Sequence, residues 1–103
     1  MSVIFQYASK VRRERAAEVK PAFDEFEGVL TAQPGFERAR LFVNQSTLQV
    51  QVLLYWKTHA EGVAFNAGAY RQMAVRLLPL MEREGTLIAS MLECEVVADT
   101  REG

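Results

Sequence analysis

The residues best equipped for chemistry in this chain are Trp56, Asn66 and Tyr70. Asn66 and Tyr70 stand at i and i+4, so any continuous helix puts them on one face. A carboxamide and a phenol in that relation can hydrogen-bond an oxygen on which negative charge develops. Trp56, and Phe65 next to Asn66, would supply aromatic surface close by. The group lacks a base. No His, Asp or Glu occurs between Asn66 and Tyr70, and the nearby Glu61 is committed to a helix cap.

Two elements must position these groups. Over residues 47–56, TLQVQVLLYW, Leu48, Val50, Val52, Leu54 and Trp56 share one face at period two. Thr47, Gln49, Gln51, Leu53 and Tyr55 share the other, which predicts a strand. Thr58 then stands at a helix N-cap with Glu61 at N3, the S/T-x-x-E capping box. A helical region follows over residues 59–84, its seam formed by Val63, Ala67, Tyr70, Ala74, Leu77 and Met81. Gly62, Gly68 and Pro79 weaken it, and a broken turn is expected over residues 66–69, ahead of a stronger helix from Tyr70. Gly85 suits the exit.

The rest of the chain supplies partners for these two elements. Residues 2–11, SVIFQYASKV, read as a first strand, with Val3, Phe5 and Tyr7 on one face and Ile4, Gln6 and Ala8 on the other. Residues 14–32 carry a helical stripe of Val19, Phe23, Phe26 and Leu30. Pro21 lacks the N–H of an interior helical residue, so the helix kinks there or begins shortly before it. Gln33-Pro34-Gly35 ends it. Residues 36–43 make a second strand, Ala39, Leu41 and Val43 opposite Arg38, Arg40 and Phe42. The short break Asn44-Gln45-Ser46 predicts an antiparallel hairpin with the strand that follows. A last strand covers residues 86–98, and the charged tail DTREG frays. The order β-α-β-β-α-β predicts an α+β, ferredoxin-like domain over residues 1–103, a four-stranded antiparallel sheet with two helices on one face.

Two helices cover one side of such a sheet. The other side keeps Phe42, Leu53, Tyr55, Leu87 and Met91 among glutamines and an arginine. That much apolar surface predicts a second copy packed sheet to sheet about a two-fold axis. A formal net charge of -1, from 12 basic and 13 acidic residues, speaks against nucleic acid as a partner. No run approaches the roughly 18 uncharged apolar residues that span a membrane. The RRER run at residues 12–15 reads as a solvated helix start. One cysteine, Cys94, and one histidine, His59, exclude an intramolecular disulfide and any multi-thiolate or multi-histidine metal site within the chain, and they fit a reducing cytoplasm. Cys94 reads as a small buried hydrophobe, and His59 as a surface residue in the first turn behind Thr58. Glu93 and Glu95 fit an edge-strand or dimer-rim role better than a paired-carboxylate site.

With these segments in place, VIFQYASKV, the QPGF that closes the first helix, ERARLFV, LLYW and AEGVAFNAGAYRQM together resemble the antibiotic biosynthesis monooxygenase superfamily of dimeric α/β barrels. The resemblance covers nearly the whole chain. It implies a homodimer whose two sheets form a barrel, each subunit holding a pocket for a small hydrophobic or aromatic molecule between its sheet and its helices. It implies a cofactor-independent monooxygenase acting on an aromatic, quinone-like or polyketide substrate. Trp56, Asn66 and Tyr70 would bind the phenolic substrate and help form its carbanion, with Gln6, Tyr7 and Phe65 on the pocket wall. The anion can itself pass an electron to oxygen, so neither flavin nor metal is required.

Two other readings stay open. Many members of the superfamily carry a His in the region of Phe65 and Asn66, and this chain has none there. That favours a non-catalytic ligand-binding or accessory dimer with the same pocket. Haem-degrading members use an Asn on the first strand with a His and a Trp on or near the second helix; here Gln6 is the nearest equivalent and the helix His is absent. Trp56 and Tyr70 also have a structural reading, as a core or interface aromatic and as part of the helix seam.

Overall fold

Alternating apolar positions generate three long strands, β1 (Val3–Lys10), β2 (Phe36–Val43) and β3 (Gln49–Trp56). The computed structural model describes residues 3–81 and the pair Cys94–Glu95. Pairing is antiparallel, β1 on β3 from Val3↔Trp56 to Lys10↔Gln49, and β2 on β3 from Phe36↔Trp56 to Val43↔Val50. Sheet order is β2-β3-β1-β4, where β4 is the two-residue segment Cys94–Glu95 opposite Ile4 and Val3. The sheet thus has three full strands and, among the described residues, only this pair of a fourth. The rest of the strand expected over residues 86–98 lies outside the described residues, as do Gly85, Leu87, Met91, Glu93 and the tail, and with them the environment of Cys94.

The strand before Trp56 starts later than its pattern suggests. Leu48 has φ +65 and belongs to the hairpin turn. There the Asn44 side chain accepts from the Ser46 and Thr47 N–H groups at 2.9 and 3.0 Å, and Leu48 N–H donates to Asn44 O at 2.7 Å. A left-handed leucine is costly for a residue with a Cβ. Its side chain is nevertheless buried, and its carbonyl accepts from Val11 N–H at 2.9 Å.

Both helical regions are broken. The first is a 3₁₀ turn over Arg13–Glu18, then α1 (Val19–Asp24) and α2 (Glu27–Thr31). Pro21 sits in the first turn of α1, where backbone N–H groups have no intrahelical acceptor and a missing one costs little. The second is α3 (His59–Ala67), α4 (Tyr70–Leu77) and a 3₁₀ turn over Leu78–Leu80. The expected break falls at Gly68, whose φ of -124 and ψ of -96 leave the helical region.

The expected seam needs correction in α3. Val63 is 44% exposed, and Gly62 and Phe65 are the buried positions. A Cβ on Gly62 would stand 2.7 Å from the Phe5 ring, so α3 lies on that ring through its glycine and turns Val63 outward. Ala67 is exposed too; beyond the break Leu77 and Met81 of the expected seam are buried, joined by Met73 and Leu80, whereas Tyr70 and Ala74 are half-buried. The core therefore lies between Phe5, Tyr7, Val50, Val52, Leu54 and Trp56 of the sheet and Val19, Ala22, Leu30, Phe65, Met73 and Leu77 of the helices. Gln51, Leu53 and Tyr55 alternate to the other face with Arg38, Arg40 and Phe42, and the Arg38 guanidinium lies 4.4 Å from the Tyr55 ring centroid.

Candidate functional site

The Pro34-Gly35-Phe36 turn and the β3–α3 junction hold each other. Gly35 takes φ +75, which favours glycine, and a Cβ there would fall 2.0 Å from Glu61 Oε1 and displace that side chain. Its carbonyl accepts from Lys57 N–H at 2.8 Å. The cap forms as expected on one side: Glu61 N–H donates to Thr58 Oγ1 at 3.3 Å. On the other, the Glu61 carboxylate accepts the Thr58 hydroxyl at 2.9 Å, which fixes the side chain beside Gly35. His59, as expected, is exposed in the first turn of α3.

This junction anchors Trp56. Phe36 meets its ring edge-on at 5.5 Å and Phe65 of α3 packs at 5.2 Å. The indole is fully buried, and its Nε1–H has no acceptor among the described residues. A buried donor left unsatisfied costs on the order of 1–3 kcal/mol.

The aromatic chain continues from Phe65 to Tyr70, edge-on at 6.2 Å, and from Tyr70 to Tyr7, stacked at 5.2 Å with 17° between the rings. The Tyr7 hydroxyl donates to Asn66 Oδ1. Asn66 and Tyr70 thus reach Tyr7 from separate helices on either side of Gly68, rather than as neighbours on one helix face. Tyr7 is buried, and burial, followed by the neighbouring Tyr70, pushes its phenol far above the usual tyrosine value despite the opposing Asn66 bond. Burial raises the Tyr70 phenol as well. At neutral pH both are protonated, so they act as hydrogen-bond donors and not as bases. The Tyr70 hydroxyl makes no hydrogen bond among the described residues.

The structure therefore brings together Trp56, Phe65, Asn66, Tyr70 and Tyr7. It does not bring Gln6 to them. Gln6 neighbours Tyr7 on an extended strand and alternates to the opposite face, paired with Leu53. Phe36 and Gly35 support Trp56 in a way spacing alone left open; the proline–glycine–phenylalanine turn was the available signal. Beneath α1 and α4 lies a separate small cavity, to which Tyr7 contributes and Trp56, Asn66 and Tyr70 do not. Among the described residues no cluster of three or more His, Cys, Asp or Glu is placed to hold a metal ion, and no helix is long and apolar enough to cross a membrane.

Neither a protein-family model nor a curated protein matches this sequence. Solved structures do match its architecture. SnoaB, a cofactor-independent oxygenase from Streptomyces nogalater, matches at 22% identity and a TM-score of 0.65, covering 77% of this chain and 82% of that one. This chain shares its fold. A candidate antibiotic biosynthesis monooxygenase from Nitrosomonas europaea matches at 13% identity and a TM-score of 0.66, covering 80% of this chain and 81% of that one. A dimeric ferredoxin-like protein of unknown function from Jannaschia sp. CCS1 matches at 13% identity and a TM-score of 0.71, covering 93% of this chain and 100% of that one. The expected resemblance to the antibiotic biosynthesis monooxygenases thus stands as one of fold. Chemistry must be argued from the residues.

Proposed function

We propose that the protein is a cofactor-independent monooxygenase that oxidises a small planar aromatic, quinone-like or polyketide compound at the Asn66–Tyr70–Trp56 cluster, and that it works as a homodimer. The observation that carries this reading is the set of neutral donors gathered around stacked aromatic rings. Tyr7 donates to the oxygen of the Asn66 amide, which fixes how that carboxamide is oriented in the cluster. Tyr70 and Trp56 each add a donor that no described residue satisfies. Such donors stabilise a phenolate or enolate oxygen as charge develops on it. They would lower the acidity barrier of the adjacent ring carbon. With no base in the cluster, that carbon's proton passes to solvent water; the resulting carbanion gives one electron to dioxygen and recombines with it, and the proton returns as the peroxide loses water. For an anthrone the balance closes when one oxygen atom replaces the two methylene hydrogens as a ketone and the other leaves as water.

The test is oxygen uptake with an anthrone or a hydroquinone, in protein stripped of flavin and metal. We expect turnover, and in Asn66→Ala a fall in kcat on the order of 100-fold. No uptake across such substrates would sink the reading. A second reading, a ligand-binding dimer without chemistry, is favoured by the lack of any His, Asp or Glu in the cluster. It predicts that a bound aromatic compound is recovered with its mass unchanged after incubation in air.

A further inference from the structure

The cavity beneath α1 and α4 belongs to none of the roles above. Its volume is about 20 Å³. That exceeds the roughly 10–15 Å³ needed to admit a water molecule. Size therefore permits water; chemistry does not favour it. Val50, Val52, Met73 and Leu77 form much of the wall, and each is 5% exposed or less. Of the hydroxyl-bearing residues that line it, Tyr7 already donates to Asn66, which leaves Ser9. The pocket is partly open to solvent at Ala8, Ser9, Phe23 and Leu41, yet one hydroxyl cannot supply the several partners that hold an ordered water, and a wall of hydrocarbon favours apolar guests. A guest of this size has only a few atoms. Tyr7 is common to the cavity and to the donor cluster, so the guest would stand one side chain away from the ring to be oxidised.

We infer that this cavity is a dioxygen site, holding the co-substrate behind Tyr7 while the organic substrate occupies the side of Asn66 and Tyr70. The assignment to a co-substrate rests on the oxygenase reading; the binding of oxygen itself does not, and can be measured without any organic substrate.

The measurement is methyl NMR of the full chain under oxygen pressure, where paramagnetic dioxygen speeds the relaxation of the methyl groups it visits. Expected is a saturable enhancement at Val50, Val52, Met73 and Leu77 several-fold above that at Leu30 and Leu54. Those two are equally buried but lie outside the cavity. Val52→Ile adds one methylene to the wall and should reduce the enhancement at Met73 and Leu77 to the level of the two controls. Val50→Ile serves the same purpose if Val52→Ile folds poorly. A uniform enhancement across all buried methyls, or one that survives both fillings, overturns the proposal. In turnover, Val52→Ile should raise KM for oxygen several-fold while KM for the aromatic compound stays put, and an unchanged oxygen KM overturns the co-substrate role. Oxygen seated in the cavity of a protein that oxidises nothing supports the site and sinks the activity instead.

Discussion

A tyrosine hydroxyl buried beneath a helix must give its hydrogen to something, and Tyr7 gives it to the carboxamide of Asn66. Tyr7→Phe leaves that amide oxygen without its donor, which should cost about 1–3 kcal/mol in urea unfolding at neutral pH. The mutation also carries a pH signature. Because the folded phenol titrates above its unfolded value of 10.0, folded and unfolded chains bind the proton alike below that pH, and stability is lost as pH rises beyond it. Wild type should therefore weaken faster than Tyr7→Phe in the alkaline range, with the two curves running parallel below it. A steeper decline in the mutant would rule out the assignment. Much of this was legible in the sequence as composition, since Tyr7, Phe65, Asn66 and Tyr70 all stand out by type. Their arrangement was not. The i to i+4 relation presumed an unbroken helix, whereas the contact between Asn66 and Tyr70 runs through a strand residue distant in sequence.

Elements here are joined through glycines. Gly62 lets α3 rest on Phe5, and Gly62→Ala should destabilise by roughly 1–3 kcal/mol, because the added carbon meets a buried ring held from several sides. Gly35→Ala should cost about 1–2 kcal/mol from its left-handed backbone alone. Its collision partner is the flexible end of Glu61, so the extra loss comes from a displaced cap. In a double-mutant cycle with Glu61→Ala, thermal unfolding should show the two losses summing to less than additive. Full additivity would mean that turn and cap are independent. The β2–β3 hairpin, the capping box and the helix break near residue 68 all followed from local pattern, because each depends on chemistry within a few residues. The outward position of Val63 did not, since it depends on where the Phe5 ring lies across the core.

At the scale of the whole molecule, the sheet face turned away from the helices remains. Of the residues expected to lie open there, Phe42 is 42% exposed, but Leu53 is half-buried and Tyr55, beneath the Arg38 guanidinium, is buried; β2 guards the sheet edge with Glu37, Arg38 and Arg40 and a bulge. Covering this face with a second copy would remove Phe42 from water, and burying such a ring is worth about 1.5–3 kcal/mol per copy. Sedimentation equilibrium should find two chains in wild type and one in Leu53→Glu, the latter with its far-ultraviolet dichroism unchanged. A wild-type monomer at micromolar concentration would remove the second copy and leave the donor cluster untouched. The Trp56 indole N–H is buried and meets no acceptor among the described residues. A folded chain that keeps a polar hydrogen hidden and unanswered is primed to gain from any visitor bearing an oxygen at the right spot. In a melting-temperature screen, a ketone or quinone should therefore raise the midpoint more than the hydrocarbon of matching outline, and that difference should vanish when Trp56 is replaced by phenylalanine.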